Sequence, residues 1–338
     1  MTRSNRVHIS WLRHGISMLT ALLFLISCGK PSSLFPAKND LSFQWEVRSF
    51  DEALFGGDSL DMKTLERDFS PFLQSYPLPN YWKQERENQL LLNHYSNVQN
   101  LIDKNSVAFE LNEISGRAKE LLKLPRPDIL YFYIDRFDLE DPCLYYAGRT
   151  EEEPTYAFVG LHNFLGEGYP GYEGIPAYQR ALLRGSQIPV AYANAVLKSL
   201  RFENPQDATL LTKMIYHGKI AVATEALTGY KLESYEVLGY TAEQWAFLEE
   251  NEANIWEVFV RNQLLFSTDM MVHQRLVEPA PFSKLRTSMD VEIPGRVARY
   301  IGYKLVQSYA ENHRDLSLQS LIRIRDAQKF LRDAQYRP

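Results

Sequence analysis

The sequence predicts an α+β fold that is predominantly helical, with a small central sheet and a large C-terminal helical part. Apolar residues recur at helical spacing between residues 82 and 124. Two short runs rich in aromatic and branched residues follow at 128–134 and 155–161, where strands are favoured. From Ala177 the pattern is helical almost to the end of the chain. No linker composition divides this body, so we expect one large domain.

The first two predicted helices each have one apolar face. In the segment 82–103 that face carries Leu91, Tyr95, Val98 and Ile102. The next helix, 106–124, presents Val107, Leu111, Ile114, Ala118 and Leu121 in the same way. It ends at the sequence LPRPD, because proline cannot continue a helix.

The C-terminal part is predicted as a series of helices that follows an irregular loop at 167–176. Thr241 and Gln244 form a capping-box pattern, in which each side chain bonds the backbone N–H of the other residue. The expected helices are 177–183, 189–200, 208–227, 241–266, 295–311 and 316–334.

The N-terminus has the layout of an export signal. Three arginines and no acidic residue precede an apolar run that is shorter than the roughly 20 residues of a membrane-spanning helix. The run ends in Leu25-Ile26-Ser27-Cys28, which resembles a bacterial lipobox. We therefore predict a lipoprotein signal peptide at 1–27, acylation of Cys28, a polar tether at 28–43 and one globular domain at 44–338. The resemblance to Gram-negative lipoproteins implies attachment to the outer membrane through acyl chains, with the body facing the periplasm.

Cysteine content and charge exclude several classes of protein. If Cys28 carries lipid, Cys143 has no disulfide partner and is expected to be a buried small apolar residue. Removal of residues 1–27 leaves 34 basic and 42 acidic side chains and no basic run. We expect no nucleic-acid partner, because such ligands select clustered Lys and Arg.

Common catalytic motifs are absent from the sequence. There is no HExxH, no G-x-S-x-G and no P-loop, and no histidine after Cys28 is followed by His, Cys or Glu three or four residues later. The sequence GEGYPG at 166–171 matches a dinucleotide fingerprint, but prolines and glycines continue the loop where a helix would have to begin. Glu249 and Glu252 share one side of a helix, and we interpret Glu252 as partly buried and hydrogen-bonded rather than catalytic.

Several motifs together resemble the gliding-motility lipoprotein family GldB of Bacteroidota. They are VRSFDEALF (47–55), FVGLHNFLG (158–166), LLTKMIYHGKIA (210–221), NEANIWEVFVRNQLLFSTD (251–269), PAPFSK (279–284) and DVEIPGRVARYIGYKLVQSY (290–309). The resemblance implies a lipoprotein required for gliding, with other gliding and type IX secretion envelope proteins as partners. The family also looks distantly similar to zinc-dependent peptidases. The stretch 190–200 would then hold a degenerate site, with Tyr192 and Asn194 but no metal ligand, so we expect no metal and no cofactor.

The junction between the loop 279–290 and the helix after Gly295 is the strongest candidate for a functional surface. Val297, Ile301, Leu305 and Tyr309 recur at helical spacing and are expected in the core, and Gly302 permits close approach of a neighbouring element. Tyr303 is expected away from that face. The candidate partner-binding residues are Ser283, Lys284, Asp290, Arg296 and Arg299.

Three alternatives remain at this stage. The favoured interpretation of the junction is a capped core helix with a tight entry loop, ahead of a docking surface or a catalytic rim. An envelope hydrolase would draw on His162, or on His217 with Glu225. A cell-wall-binding module would use exposed aromatic residues of the sequence EGYPGYEG.

Overall fold

A small sheet lies between two apolar clusters in the computed structural model. The structure describes residues 33–38, 45–74, 79–137, 139, 141–148, 150, 152–287 and 290–338. Within these residues the strands are β1 Glu46–Ser49, β2 Ile129–Tyr133, β3 Cys143–Tyr146 and β4 Tyr156–Gly160. Their spatial order is β1-β2-β4-β3; β1 and β4 run parallel to β2, and β3 runs antiparallel to β4. Helices surround this sheet, which confirms the predicted helix-dominated α+β fold.

The central strand β2 separates two cores because its side chains alternate between the faces of the sheet. Leu130 and Phe132 point into the large helical core. Tyr131 points into a smaller aromatic cluster, where it stacks on Phe158 at a centroid distance of 5.2 Å. Because both faces are covered, β2 carries no charged side chain and is a continuous run of aliphatic and aromatic residues.

The helices before β2 build the smaller cluster and one side of the large core. The second helix of the predicted pair is capped by Asp103, whose carboxylate accepts from Asn105 N and Ser106 N, and it ends at Lys123 in the left-handed conformation. The bounds are α1 Phe50–Phe55, α2 Met62–Asp68, α3 Ser70–Leu73, α4 Pro79–Arg86, α5 Gln89–Leu101 and α6 Lys104–Leu122.

The C-terminal part is helical, as predicted. Its helices are α7 Ala177–Arg180, α8 Ile188–Ser199, α9 Leu210–Leu227, α10 Ser234–Leu238, α11 Ala242–Glu250, α12 Glu252–Arg261, α13 Met270–Val277, α14 Val297–Asn312, α15 Leu318–Arg323 and α16 Ala327–Ala334. Short 3-10 turns lie at Leu161–Phe164, Pro170–Tyr172, Gly185–Gln187 and Leu264–Phe266. The capping box of Thr241 and Gln244 is present at the start of α11.

Three helices predicted as continuous are broken. The segment 82–103 is interrupted at Glu87 and Asn88, between α4 and α5. The segment 241–266 bends at Asn251, whose side chain donates to Phe247 O and competes with the helical hydrogen-bond pattern. The segment 316–334 is interrupted before Asp326, which caps α16 by accepting from Lys329 N. Strands β1 and β3 and helix α13 were not predicted, because short elements carry too few residues to show a clear period.

Helices α9 and α14 cross closely at two glycines. A Cβ atom on Gly302 would overlap the carbonyl oxygen of Met214, and a Cβ atom on Gly218 would overlap the carbonyl oxygen of Gly302. The prediction that Gly302 permits close approach is therefore confirmed, with α9 as the neighbour. Both helices bury residues on nearly all sides, so this crossing lies in the middle of the large core.

The first described residues also belong to the packed body. Phe35 is 6% exposed, and its backbone N–H donates to the Tyr230 hydroxyl at 2.8 Å. The backbone N–H of Lys38 donates to a carboxylate oxygen of Glu120, also at 2.8 Å. Residues 33–38 therefore pack against the domain, although they lie in the segment that the sequence assigns to the tether.

Lys219 is a buried cation within this core. Its side chain is 3% exposed, its Nζ donates to Ile324 O and lies 5.2 Å from the centroid of the Phe330 ring. Among the described residues no carboxylate forms an ion pair with it. Burial lowers the pKa of Lys219 to about 7, and the charge of Arg325 lowers it further in the same direction.

We expect the substitution Gly302→Ala to destabilise the protein by about 2–4 kcal/mol, since the new methyl group must push the α9 backbone away. In a helix without this contact, alanine in place of glycine would raise the free energy of unfolding by about 1 kcal/mol, so a decrease would indicate the close crossing. Urea unfolding measures the free energy. As a control, Gly168→Ala should change it little because open space surrounds that position. A stabilising effect of Gly302→Ala would contradict the close crossing.

We expect the stability of the wild type to rise by about 1 kcal/mol per pH unit as the pH increases from about 7.5 to 9.5. The reason is that the pKa of Lys219 is lower in the folded state than its ordinary value of 10.5, so the unfolded chain binds the proton more tightly. Urea unfolding across this range should give a flatter profile for Lys219→Met. The exposed Lys329→Met serves as control; equal profiles for all three proteins would show that Lys219 is charged in the fold.

Candidate functional site

The loop between α13 and α14 is closed at its base by backbone contacts. Phe282 forms an isolated bridge with Pro294, and the backbone N–H of Ser283 donates to Ile293 O at 2.9 Å. Gly295 lies so close to Ala280 O that a side chain there would overlap it. The contacts therefore fix the base of the loop, and only glycine fits the contact at position 295.

Ser283 and Asp290, two of the predicted surface residues, hold this loop together. Ser283 is fully buried, and its Oγ accepts from Val297 N at 3.0 Å, which caps the first turn of α14. The half-buried Asp290 carboxylate accepts from Arg286 N at 3.0 Å and from Thr287 N at 2.9 Å. The prediction that Ser283 is a partner contact is wrong, because no part of its side chain is accessible.

Arg296 lies beneath the loop rather than on the surface. It adopts the left-handed conformation and precedes α14, which begins one residue later than predicted. Its Nη2 donates to Gly239 O at 2.6 Å, and its guanidinium lies 5.1 Å from the centroid of the Tyr240 ring. The Tyr240 hydroxyl in turn donates to Gly295 O and Arg296 O at 3.0 Å each. Burial lowers the pKa of Arg296.

Arg299 is also mostly enclosed. Its Nε donates to Val277 O at 2.7 Å, which satisfies the last turn of α13, and Glu278 lies 3.5 Å from its Nη2. Burial, then the charge of Arg296, lowers the pKa of Arg299 to about 10. Both arginines, which the sequence assigned to a partner-binding surface, are therefore half-buried. They sit where α13 and the α10–α11 turn cover the face of α14 that the helical pattern assigns to solvent.

Among the described residues of the junction, the exposed ones include two large apolar side chains and charged side chains of both signs, Lys284, Arg286 and Glu292. Lys284 is exposed, as predicted. Phe282 and Val291 are 45% and 72% exposed and were not selected from the sequence. Large apolar residues in a proline-bounded loop could have indicated this surface from the sequence. Exposed apolar side chains on such a loop suggest a protein contact.

The carboxylates considered for catalysis are engaged in hydrogen bonds. Glu225 is buried and accepts from the Tyr303 hydroxyl at 2.7 Å and from the Ser234 hydroxyl at 2.6 Å, and burial raises its pKa. Tyr303 is therefore in the core, contrary to prediction, because its hydroxyl reaches this carboxylate. Glu252 accepts from the hydroxyls of Tyr300 at 2.6 Å and Tyr336 at 2.7 Å. Its predicted partial burial and hydrogen bonding are confirmed.

The residues proposed for a metal hydrolase do not come together. His217 and Glu225 lie eight residues apart on α9, which is about 12 Å along the helix axis. His162 lies on the 3-10 turn after β4, where its Nδ1 accepts from Asp135 N and its Nε2 donates to Arg136 O. Within the described ranges, no group of three or more His, Cys, Asp or Glu residues is arranged to hold a metal ion.

The structure instead pairs two histidines that were interpreted as isolated. The rings of His94 and His162 are 5.7 Å apart between centroids. His94 Nδ1 lies 2.8 Å from the Tyr169 hydroxyl, and burial lowers the pKa of His94 to about 4. Tyr169 and Tyr172 are both buried, which overturns the exposed-aromatic argument for a cell-wall-binding loop.

The remaining sequence candidates have plain structural positions. Tyr192 is buried and bonds the Ser115 hydroxyl at 2.8 Å, and Asn194 Oδ1 accepts from Thr224 Oγ1 at 2.9 Å. Cys143 is buried as expected, and burial raises the pKa of its thiol. Cys28 lies outside the described residues.

Comparison with known proteins identifies one family. Residues 34–338 match the family model described as gliding motility protein GldB. No curated protein matches the chain, and neither does any solved structure. Over the part of the chain that the structure describes, no helix has the length and apolar character needed to cross a bilayer. Because the match covers nearly the whole described body, the chain belongs to the GldB family of gliding motility lipoproteins.

Proposed function

We propose that this protein is acylated at Cys28, is attached to the outer membrane with its body facing the periplasm, and acts as a non-enzymatic component of the gliding and type IX secretion machinery. The family match over residues 34–338 is the observation that carries the role in gliding. The sequence Leu25-Ile26-Ser27-Cys28 supports the lipid anchor. A family of gliding lipoproteins is expected in the cell envelope, in agreement with this placement.

The contacts of the polar core support a structural role. Glu225, Glu252 and His162 each bond fixed hydroxyl or backbone groups, so their side chains are held for packing rather than presented to a substrate. A general acid or base needs a free approach to a reacting atom. Glu225 and Glu252 bond tyrosines of α14, the helix that follows the α13–α14 loop.

The loop supplies a surface suited to a protein partner. Phe282, Lys284 and Val291 are exposed on a segment whose base is fixed by backbone contacts. A pre-organised loop loses little conformational entropy on binding, so its apolar contacts contribute more fully to affinity. Arg296 and Arg299 position this loop from beneath, through Gly239 O and Val277 O.

We expect deletion of the gene to abolish colony spreading and wild-type protein to restore it. A Cys28→Ala protein should fail to restore spreading and should take up no radiolabelled palmitate, since the thiol is the acceptor. Cys143→Ala is the matched control, because its thiol is buried and the label should still enter. Normal spreading in the deletion strain would refute the role in gliding, and palmitate in the Cys28→Ala protein would refute the acylation site.

We also expect the double substitution Lys284→Glu and Val291→Asp to reduce colony spreading severalfold while the melting temperature stays unchanged. Both side chains are exposed, so their replacement alters the surface and not the core. Val260→Asp is the control, because Val260 is 51% exposed on α12, away from the loop. If both proteins restore spreading equally, the loop is not the partner surface.

A further inference from the structure

The first described residues form a strap on the body. We use the name N-terminal strap for residues 33–38. Its Phe35 side chain enters the large core, and the backbone N–H of Phe35 donates to the Tyr230 hydroxyl at 2.8 Å. The backbone N–H of Lys38 donates to Glu120 Oε2 at 2.8 Å. One buried aromatic ring and two hydrogen bonds fix the strap at defined positions.

The strap lies on one end of the body, where two long helices terminate together. Tyr230 follows the last turn of α9, and Glu120 lies in the last turn of α6. Arg117 joins the two helices by donating from Nη1 to Leu227 O at 3.0 Å. Gly229 and Tyr230 both adopt positive φ angles, which turn the chain sharply at the end of α9. The strap therefore marks the carboxyl-terminal end of both helices.

The covalent chain limits how far this end can be from the bilayer. Five residue steps separate Cys28 from Ser33, and an extended chain covers at most about 17 Å over that distance. The opposite end of α9 is about 26 Å further along its axis. Leu210, at that far end, donates from its backbone N–H to Ser267 O at 2.9 Å, and α13 begins three residues later.

We infer that the N-terminal strap orients the body, so that the end formed by the carboxyl termini of α6 and α9 faces the lipid surface and α13 faces away. This inference rests on the proposed acylation of Cys28. Lys119 and Lys123 are exposed at this end, where their ammonium groups can meet lipid phosphates. A tether without the strap would let the body rotate freely about its anchor.

The test measures which end lies near the lipid. Acylated full-length protein is placed in phosphatidylethanolamine–phosphatidylglycerol vesicles that contain nitroxide-labelled lipid. A fluorophore is attached to Lys119→Cys or to Met271→Cys; the wild-type Cys143 is buried and should not react. We expect severalfold greater quenching at position 119 than at position 271.

Variants of the strap show whether it causes this difference. Phe35→Ala combined with Tyr230→Phe removes the buried ring and the hydroxyl acceptor, so the two positions should be quenched more equally. Tyr230→Phe alone, which keeps the packing, provides a milder variant should the double substitution affect folding. Equal quenching at positions 119 and 271 in the acylated protein with an intact strap would contradict the proposed orientation but not the lipid anchor. If the protein expressed in its native host carries no acyl chain, both the lipid anchor and the orientation are contradicted.

Discussion

The contact between Gly218 of α9 and Gly302 of α14 is the constraint on which the C-terminal half depends. Because neither residue has a side chain, the two backbones approach more closely than any other residue pair would permit. That distance brings the Tyr303 hydroxyl to Glu225 and leaves Lys219 enclosed beside Phe330. A wider crossing would hydrate these polar groups and remove the reason for their pairing. The close contact of the two glycines therefore permits the hydrogen bond between Tyr303 and Glu225 and the enclosure of Lys219.

The same crossing positions the start of α14, on which the proposed partner surface of the α13–α14 loop depends. α14 is held by α9 along its length, so its first turn has a defined position. Ser283 caps that turn, and Arg296 and Arg299 bond carbonyl oxygens of neighbouring elements. The proposed partner surface is the outer side of the loop, where apolar side chains and the charged residues Lys284, Arg286 and Glu292 meet solvent.

The sequence predicted the elements that have a long apolar pattern on one face. It failed where an element is also covered on a second face, because burial there depends on tertiary packing. α5, α6 and the strands β2 and β4 follow from regular apolar spacing. α14 misled the prediction because α9 covers one of its faces and α13 covers another, so Arg299 and Tyr303 lie off the apolar stripe and are still enclosed. β1 is too short to show a period, and it becomes a strand by pairing with β2. The local sequence does not show which elements will pack or pair with a given segment.

The burial of α14 on several faces also decides where interaction sites can exist in this protein. A polar residue on a helix that is covered all round must find an internal partner, or its desolvation would destabilise the fold. In the sequence such residues suggest a functional site because they interrupt an apolar pattern. In the structure their polar groups form hydrogen bonds within the protein. We propose that accessible loops and helix ends contact other molecules, in particular the α13–α14 loop, with Phe282 and Val291 in solvent, and the end of α9 that carries the N-terminal strap. The two surfaces are built from different elements, so attachment to a membrane and contact with a partner need not compete.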